Sequence, residues 1–242
     1  MELPELVLVH GAWHGSWAWY RLVPVLRDRG WTATAVDLPS SGSRADISAD
    51  CVVVRRVLEA SPRPKVLVGH SYGGTVVTQS GAGIDSVVGL VYLCAAKPDV
   101  GDVVWHDPHS PEEVPYWIRV DDAQGACFAL DSDKILYNDC TPEVIADAQP
   151  RLKGQSVASF LEPVSAAAWH EKPSAYLICE DDRCVPAAQQ EQLADGAGHI
   201  ERVAAGHSPF LSQPSAVEEF LRRAVATFEP VGGVTAAGGV SG

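Results

Sequence analysis

The sequence predicts an α/β fold: a mostly parallel six-stranded core sheet flanked by helices, with a helical cap inserted after the fourth strand. Three observations carry that expectation. Short continuous apolar runs, such as Leu6 to Val9 and Val66 to Val68, read as strands buried on both faces, and helical stretches separate them. The alternation stops near Lys97 and resumes near Ser174. Gly69-His70-Ser71-Tyr72-Gly73 stands between a strand and a helix as G-x-S-x-G, a sharp turn that holds its serine above the end of a sheet.

The elements follow in order. Leu6 to His10 is the first strand, and Gly11 to Gly15 is a turn. Ser16 is placed to cap a helix over Trp17 to Arg29, which Gly30 stops. Trp31 to Val36 is the second strand, and Asp37 to Ser43 a loop. A helix over Ile47 to Ala60 ends before Ser61-Pro62-Arg63-Pro64. Lys65 to Gly69 is the third strand, Ser71 its turn, Thr75 to Gln79 the following helix, and Ser86 to Leu93 the fourth strand. Repeated strand–helix–strand units imply parallel pairing with right-handed crossovers. Residues 97–172 hold no strong buried strand, are rich in Asp, Pro and Trp, and include a short helix over Pro142 to Leu152. A break of that length inside an α/β domain reads as a functional insertion, here a cap over the carboxyl edge of the sheet. Its apolar residues are too few and scattered for a separate core. Ser174 to Cys179 is the fifth strand, Ala187 to Ala194 a helix, His199 to Ala204 the sixth strand, and Pro214 to Phe228 a closing helix. The expected organisation is a core of 1–96 and 173–228, a cap of 97–172, and a Gly-, Val- and Ala-rich tail of 229–242 with little to pack against, expected to be disordered.

Composition bounds the partners. The chain has 242 residues, 46% hydrophobic and 20% charged, as in ordinary globular domains. A net charge of −13 repels phosphate backbones and anionic lipid, so neither nucleic acid nor a membrane is expected as a partner. No apolar run has the length of a membrane span, and Met1 to Glu5 lacks the basic region of a signal peptide, so a cytoplasmic location is expected. The six cysteines show no C-x-x-C pair and no metal spacing, and read mostly as small buried apolar residues; Cys127 and Cys140 are the one pair weighed for a disulfide. No dinucleotide G-x-G-x-x-G follows the first strand. Neither metal nor cofactor is therefore expected, and a monomer or homodimer acting on a small molecule is.

A serine hydroxyl is a weak nucleophile at neutral pH and needs a base, which needs an orienting acid. Ser71 follows the third strand, Asp182 the fifth and His207 the sixth. All three fall at carboxyl ends of parallel strands, where open α/β sheets place their sites. The alternative for Ser71 alone is a helix cap in a glycine-rich turn. Asp181 competes with Asp182 for the acid. His10 and His70 read as structural, and His106, His109, His170 and His199 as solvated or satisfied. His70 abuts Ser71, but successive side chains diverge at such a turn.

These residues resemble an α/β-hydrolase, and more narrowly the bacterial relatives of the plant methylesterase and hydroxynitrile lyase family. The matching text is His10-Gly11-Ala12-Trp13-His14-Gly15-Ser16-Trp17-Ala18-Trp19, Asp37-Leu38-Pro39-Ser40-Ser41-Gly42, Gly69-His70-Ser71-Tyr72-Gly73-Gly74, Glu180-Asp181-Asp182-Arg183-Cys184-Val185-Pro186 and Ala205-Gly206-His207. The resemblance spans about residues 6 to 215 and is loose in the cap. It implies an α/β-hydrolase fold with Ser71 as nucleophile, His207 as general base and acid, and Asp182, four residues before Pro186, as orienting acid. It places an oxyanion hole at the backbone N–H groups of Ala12 and Tyr72, and His14 near the substrate. Trp105, Tyr116, Trp117, Phe128, Tyr137 and Trp169 lie in the cap, where they form its own small core or an aromatic pocket wall; Trp105 and Trp117 are taken as substrate-binding candidates.

The expected reaction is hydrolysis of a small carboxylic ester through an acyl-enzyme, without a cofactor. Thioester or amide hydrolysis would use the same machinery, and a receptor-like protein with weak hydrolysis is a further reading. The plant lyases carry threonine at the position of Gly11 and lysine just after the catalytic histidine; Gly11 and Ser208 depart from that pattern and disfavour cyanohydrin cleavage. Haloalkane dehalogenation is disfavoured because the nucleophile is serine rather than aspartate.

Overall fold

Continuous apolar runs become the middle of a sheet. In a computed structural model that describes residues 3–228, β1 (Glu5–Val9), β2 (Ala33–Val36), β3 (Lys65–His70) and β4 (Val87–Leu93) are followed, after the insertion, by two more strands of the same sheet. The insertion contributes β5 (Ile118–Asp121), β6 (Ala126–Ala129) and β7 (Gln155–Ser156); the core resumes with β8 (Ser174–Cys179) and β9 (His199–Val203). The core sheet has six strands, all parallel, in the order β2-β1-β3-β4-β8-β9. Every residue of β3 and β8 is buried, whereas the edge strands β2 and β9 alternate. Burial on both faces selects the unbroken apolar runs, and an edge tolerates alternation.

The helices are α1 (Leu22–Asp28), α2 (Ile47–Glu59), α3 (Gly73–Ser80), α4 (Ser132–Ile135), α5 (Pro142–Ala148), α6 (Ala158–Leu161), α7 (Ala187–Leu193), α8 (Pro209–Ser212) and α9 (Pro214–Thr227). In α2 the buried side chains are Ile47, Asp50, Cys51, Val54 and Leu58, an i, i+3, i+4 stripe that carries one carboxylate. Asp46 caps this helix by accepting from the Ala49 N–H at 2.9 Å. None of the helices among the described residues is long and apolar enough to cross a membrane.

Three differences from the sequence reading have physical causes. The helix expected over Trp17 to Arg29 is split into a 3₁₀ turn, Ser16–Tyr20, and α1. Pro24 has no N–H for the Tyr20 carbonyl, so a continuous helix would lose a bond there. Ser16 is not the cap: its N–H and hydroxyl both donate to Asp37, at 2.7 and 2.9 Å. The insertion holds short helices but also an antiparallel sheet, β5-β6-β7, so the cap is mixed rather than purely helical. Its strands are two to four residues long and carry Arg119 and Asp121, which hides them from an apolar-run criterion. All six cysteines are free, Cys127 and Cys140 included. The expected tail, Glu229 to Gly242, lies outside the described residues.

Register positions the site. The chain moves from β1 outward to β2, then returns across β1 to β3 and proceeds the other way. The order reverses between β1 and β3, which is where open α/β sheets leave a crevice at their carboxyl ends. Val9 pairs with Gly69 across that boundary, so the loop after β1 and the turn after β3 leave the sheet side by side.

Candidate active site

The turn after β3 is tight. Ser71 has φ 51°, a left-handed conformation rare for a side-chain-bearing residue. Its backbone is fixed from several sides: the Ser71 N–H donates to the Leu93 carbonyl at 3.3 Å, and its own carbonyl accepts from Gly74 and Ala96 at 3.0 and 3.1 Å. The glycines two residues either side are required by space. A Cβ on Gly73 would lie 2.4 Å from the Val9 oxygen, and one on Gly69 would lie 2.7 Å from the Gly73 oxygen. Ser71 itself is half-buried, and its hydroxyl makes no hydrogen bond among the described residues.

The loops after β8 and β9 bring Asp182 and His207 together. His207 Nδ1 lies 2.8 Å from Asp182 Oδ2, and both side chains are buried. The pairing places the ring proton on Nδ1 and leaves Nε2 as the basic nitrogen. Asp182 accepts in addition from the Cys184 and Val185 N–H groups at 2.7 and 2.9 Å and from Gln190 Nε2 at 3.1 Å. That set of donors selects Asp182; its neighbour Asp181 is exposed. Burial lowers the His207 pKa, but the Asp182 carboxylate and Cys184 raise it by more, so it stands well above the ordinary 6.5.

Three other histidines crowd the same region without a hydrogen-bonded carboxylate to outweigh burial. Burial lowers His10 to about 4 and His14 to about 3, and takes His70 well below 6.5. His70 turns away from a base role. Its Nε2 donates to the His207 carbonyl at 2.8 Å, and the two rings stand 4.7 Å apart. Cys94 donates its thiol to the same carbonyl at 3.4 Å. His70, Cys94 and His207 therefore bring their potential ligand atoms within 4.8 Å of one another, all buried, but two of the three are spent on one carbonyl.

The Ala12 and Tyr72 N–H groups donate to no acceptor among the described residues, and the pairing of β1 with β3 sets their loops side by side. Two unspent amides beside a serine can bind one developing oxyanion. The loop carrying Ala12 is held firmly. Trp13 has φ 65°; its N–H donates to Gln155 Oε1 at 3.3 Å, its indole N–H to the Cys127 carbonyl at 3.0 Å, and its carbonyl accepts from Lys153 at 2.9 Å. His14 has both ring nitrogens engaged, Nδ1 with the Ala12 carbonyl at 2.7 Å and Nε2 with the Tyr137 hydroxyl at 2.9 Å. It acts on the loop rather than presenting a free nitrogen.

The cap reaches each loop of the site. Tyr137 meets His14, Asn138 Nδ2 donates to the Asp181 carbonyl at 3.0 Å, and Asp139 accepts from the Gly206 N–H at 2.8 Å. Three consecutive cap residues thus hold the loops that carry Ala12, Asp182 and His207. Trp105 and Trp117 are each 5% exposed and join an aromatic cluster: Trp105 meets Phe160 at 4.5 Å, Trp117 meets Trp13 at 5.7 Å, and Tyr72 meets Phe160 at 5.3 Å. Tyr116, by contrast, is exposed.

Asp50 and Gln155 are not among the residues the sequence points to, and Tyr137 is only one of six cap aromatics there. Asp50 carried a signal, since it is a carboxylate on the apolar stripe of its helix. Gln155 carried none: it lies in a two-residue strand of the cap.

Known proteins resemble the chain along nearly its whole length. A profile described as the Alpha/beta hydrolase family matches residues 6–220. Alpha/beta hydrolase nvfD of Aspergillus novofumigatus is 34% identical, with 93% of this chain and 97% of the relative covered. Salicylic acid-binding protein 2 of Nicotiana tabacum is 26% identical over 88% of this chain and 94% of its own. The crystal structure of the methylesterase MES16 from Arabidopsis superposes with a TM-score of 0.76 at 23% identity, covering 93% of this chain and 99% of that one, a likeness of fold.

Two outcomes follow from the geometry. Gly73→Ala is expected to lower stability by about 1–3 kcal/mol, because its Cβ meets backbone that cannot move aside; thermal unfolding measures it. The acid limb of kcat/KM is expected to follow His207, above pH 6.5 in the wild type. Asp182→Asn removes the carboxylate that raises that pKa, so the limb moves to lower pH while the plateau falls roughly 10⁴-fold; a pH–rate profile measures both.

Proposed function

The chain belongs to the alpha/beta hydrolase family, and from that premise we propose that it hydrolyses a small carboxylic ester through an acyl-enzyme on Ser71. The observation that carries this reading is the strained Ser71 backbone with two unspent amides, Ala12 and Tyr72, at a turn whose His70 holds the loop of the Asp182–His207 pair by a 2.8 Å hydrogen bond to the His207 carbonyl. His207 Nε2 takes the Ser71 proton as Oγ attacks the ester carbonyl. The carbonyl oxygen becomes an oxyanion held by the Ala12 and Tyr72 N–H groups. Asp182 stabilises the imidazolium that forms, which agrees in sign with the raised His207 pKa. The imidazolium then protonates the leaving alcohol. Water, deprotonated by His207, attacks the acyl-enzyme, and the acid is released with Ser71 restored. The covalent attack, the proton transfers and the electrostatic stabilisation are all supplied by this chain's own groups and water. Thioesters and amides would pass through the same steps.

Cyanohydrin cleavage is disfavoured by space as well as by charge. A Cβ at Gly11 would lie 2.7 Å from His70 Nδ1 and 2.8 Å from the Ser71 Cβ, so the threonine of the plant lyases has no room here. Ser208 is fully buried and its hydroxyl is unpartnered among the described residues, so position 208 supplies no cation beside His207 to receive a departing cyanide. A receptor-like role has one supporting observation, the name of the tobacco relative, which states binding of salicylic acid.

A panel of p-nitrophenyl esters of increasing acyl length, with methyl esters beside it, separates these readings. Wild type is expected to turn over short esters, with Ser71→Ala slower by roughly 10⁴–10⁶-fold in kcat. Full activity in Ser71→Ala would sink the hydrolase reading. No turnover of any ester, with equal ligand affinity in wild type and Ser71→Ala, would favour the receptor.

A further inference from the structure

Beneath the two proposed oxyanion donors runs a chain of buried polar groups that the hydrolytic steps do not use. Gln155 lies in β7 of the cap and is completely buried. Its Oε1 accepts from the Trp13 N–H at 3.3 Å, and its Nε2 donates to the Ser40 and Ser159 hydroxyls, both at 2.8 Å. The Ser40 hydroxyl donates to Asp50 Oδ2 at 2.5 Å, and the Ser40 N–H to Asp50 Oδ1 at 2.9 Å. Asp50 Oδ2 also accepts from the Tyr72 hydroxyl at 2.8 Å. Asp50, Ser40, Gln155 and Ser159 are at most 1% exposed.

The two ends of this chain are the residues that matter. At one end the Ala12–Trp13 peptide is held on both sides: its carbonyl accepts from His14 Nδ1 at 2.7 Å, and its N–H is the one taken by Gln155. Trp13 stands at φ 65°, a conformation a bulky residue keeps only where its surroundings impose it. The orientation of that peptide sets the direction of the Ala12 N–H one residue earlier. At the other end the Tyr72 phenol is anchored on Asp50, and the Tyr72 N–H is the second donor. A carboxamide suits the middle of such a chain because it accepts on one atom and donates on the other. An apolar side chain there would strand the Trp13 N–H without a partner, which costs more than the bond itself is worth.

We propose that Gln155 is a positioning residue for the oxyanion hole, which through Ser40 and Asp50 fixes the direction of the Ala12 N–H relative to the Tyr72 N–H. The inference rests on the reading of Ala12 and Tyr72 as the oxyanion donors. It gives the cap a role in the chemical step besides covering the site. Misdirection of a donor raises the barrier because the oxyanion needs both bonds in the transition state, while the ground-state ester needs neither as strongly.

The test compares Gln155→Met, Tyr72→Phe and the double variant on a p-nitrophenyl ester that wild type hydrolyses. Each single change is expected to lower kcat by about 10–100-fold, less than the 10²–10³ typical of losing a donor outright, with KM within about threefold. The double variant is expected to lose less than the product of the single losses, since both cut one chain. Affinity for an aryl trifluoromethyl ketone, which forms an oxyanion on serine, is expected to fall with kcat, while affinity for the product carboxylate stays. Ser40→Ala cuts the same chain one link on and replaces Gln155→Met if that variant does not fold. Unchanged kcat in the folded variant, independent losses in the double variant, or a kcat loss without weaker ketone binding would each overturn the positioning role. An inactive Ser71→Ala beside an unimpaired Gln155→Met would remove only this role; an active Ser71→Ala would remove the esterase reading and this role with it.

Discussion

Ser71 can hold φ 51° only because nothing with a side chain stands where Gly69, Gly73 and Gly74 stand. A Cβ on Gly74 would come within 2.1 Å of the Ala96 oxygen, and the other two meet backbone almost as closely. The strained residue is therefore wedged between β1, β3 and the segment after β4, and the strain is carried by packed backbone rather than by one bond. The same close packing lets α3 bury all eight of its residues. It also leaves the Tyr72 N–H at the start of that helix unspent. Nucleophile position, free amide and buried helix are consequences of one steric arrangement.

Around that point the structure sorts four histidines by a single difference. His10, His14 and His70 are buried among one another, and burial keeps them neutral. Neutral imidazoles can both donate and accept, and the structure uses them so: His10 Nε2 accepts from the Leu38 N–H at 3.0 Å while Nδ1 meets the Gly11 carbonyl at 2.8 Å. His207 is just as buried but faces Asp182, and its protonated form is favoured instead. One hydrogen-bonded carboxylate thus favours the protonated form of one ring among four. Asp50 shows the reverse case. Burial raises its pKa, and the Ser40 and Tyr72 donors act against that rise. No cation takes part in the hydrogen bonds to its carboxylate.

The core was legible because its signals are local. β1, β3, β4 and β8 are apolar runs that survive any reasonable window, and G-x-S-x-G has a steric meaning at fixed spacing. Asp182 and His207 were readable from the strands they follow, since parallel strands deliver their next residues to one edge. The cap was not legible for the opposite reason. Its strands are paired to one another and to loops far away in sequence: Gln155 bridges Ser41 and meets Trp13, 142 residues earlier. Its aromatic residues sit at the junction with the core, so neither periodicity nor composition shows which way they face. His14 illustrates the limit. The motif puts it in the loop after β1, but only the Tyr137 hydroxyl on its second nitrogen shows how the ring is used there.

Small residues beside Ser71 then bear on which chemistry the proposed site would favour. At Gly11 the ring of His70 and the Cβ of Ser71 already fill the space a side chain would need. That contact keeps the oxyanion loop close to the nucleophile and excludes a second hydroxyl at the position where the plant lyases have threonine. At Ser208 the side chain is buried and its hydroxyl has no partner among the described residues, so a lysine ammonium in that volume would be a desolvated charge. In the proposed mechanism, a carboxylate-backed imidazole and two free amides would stabilise an oxyanion better than a departing anion. In the proposed reaction, the preference for acyl transfer would be set by packing at Gly11 and Ser208 as much as by the Ser71, Asp182 and His207 side chains.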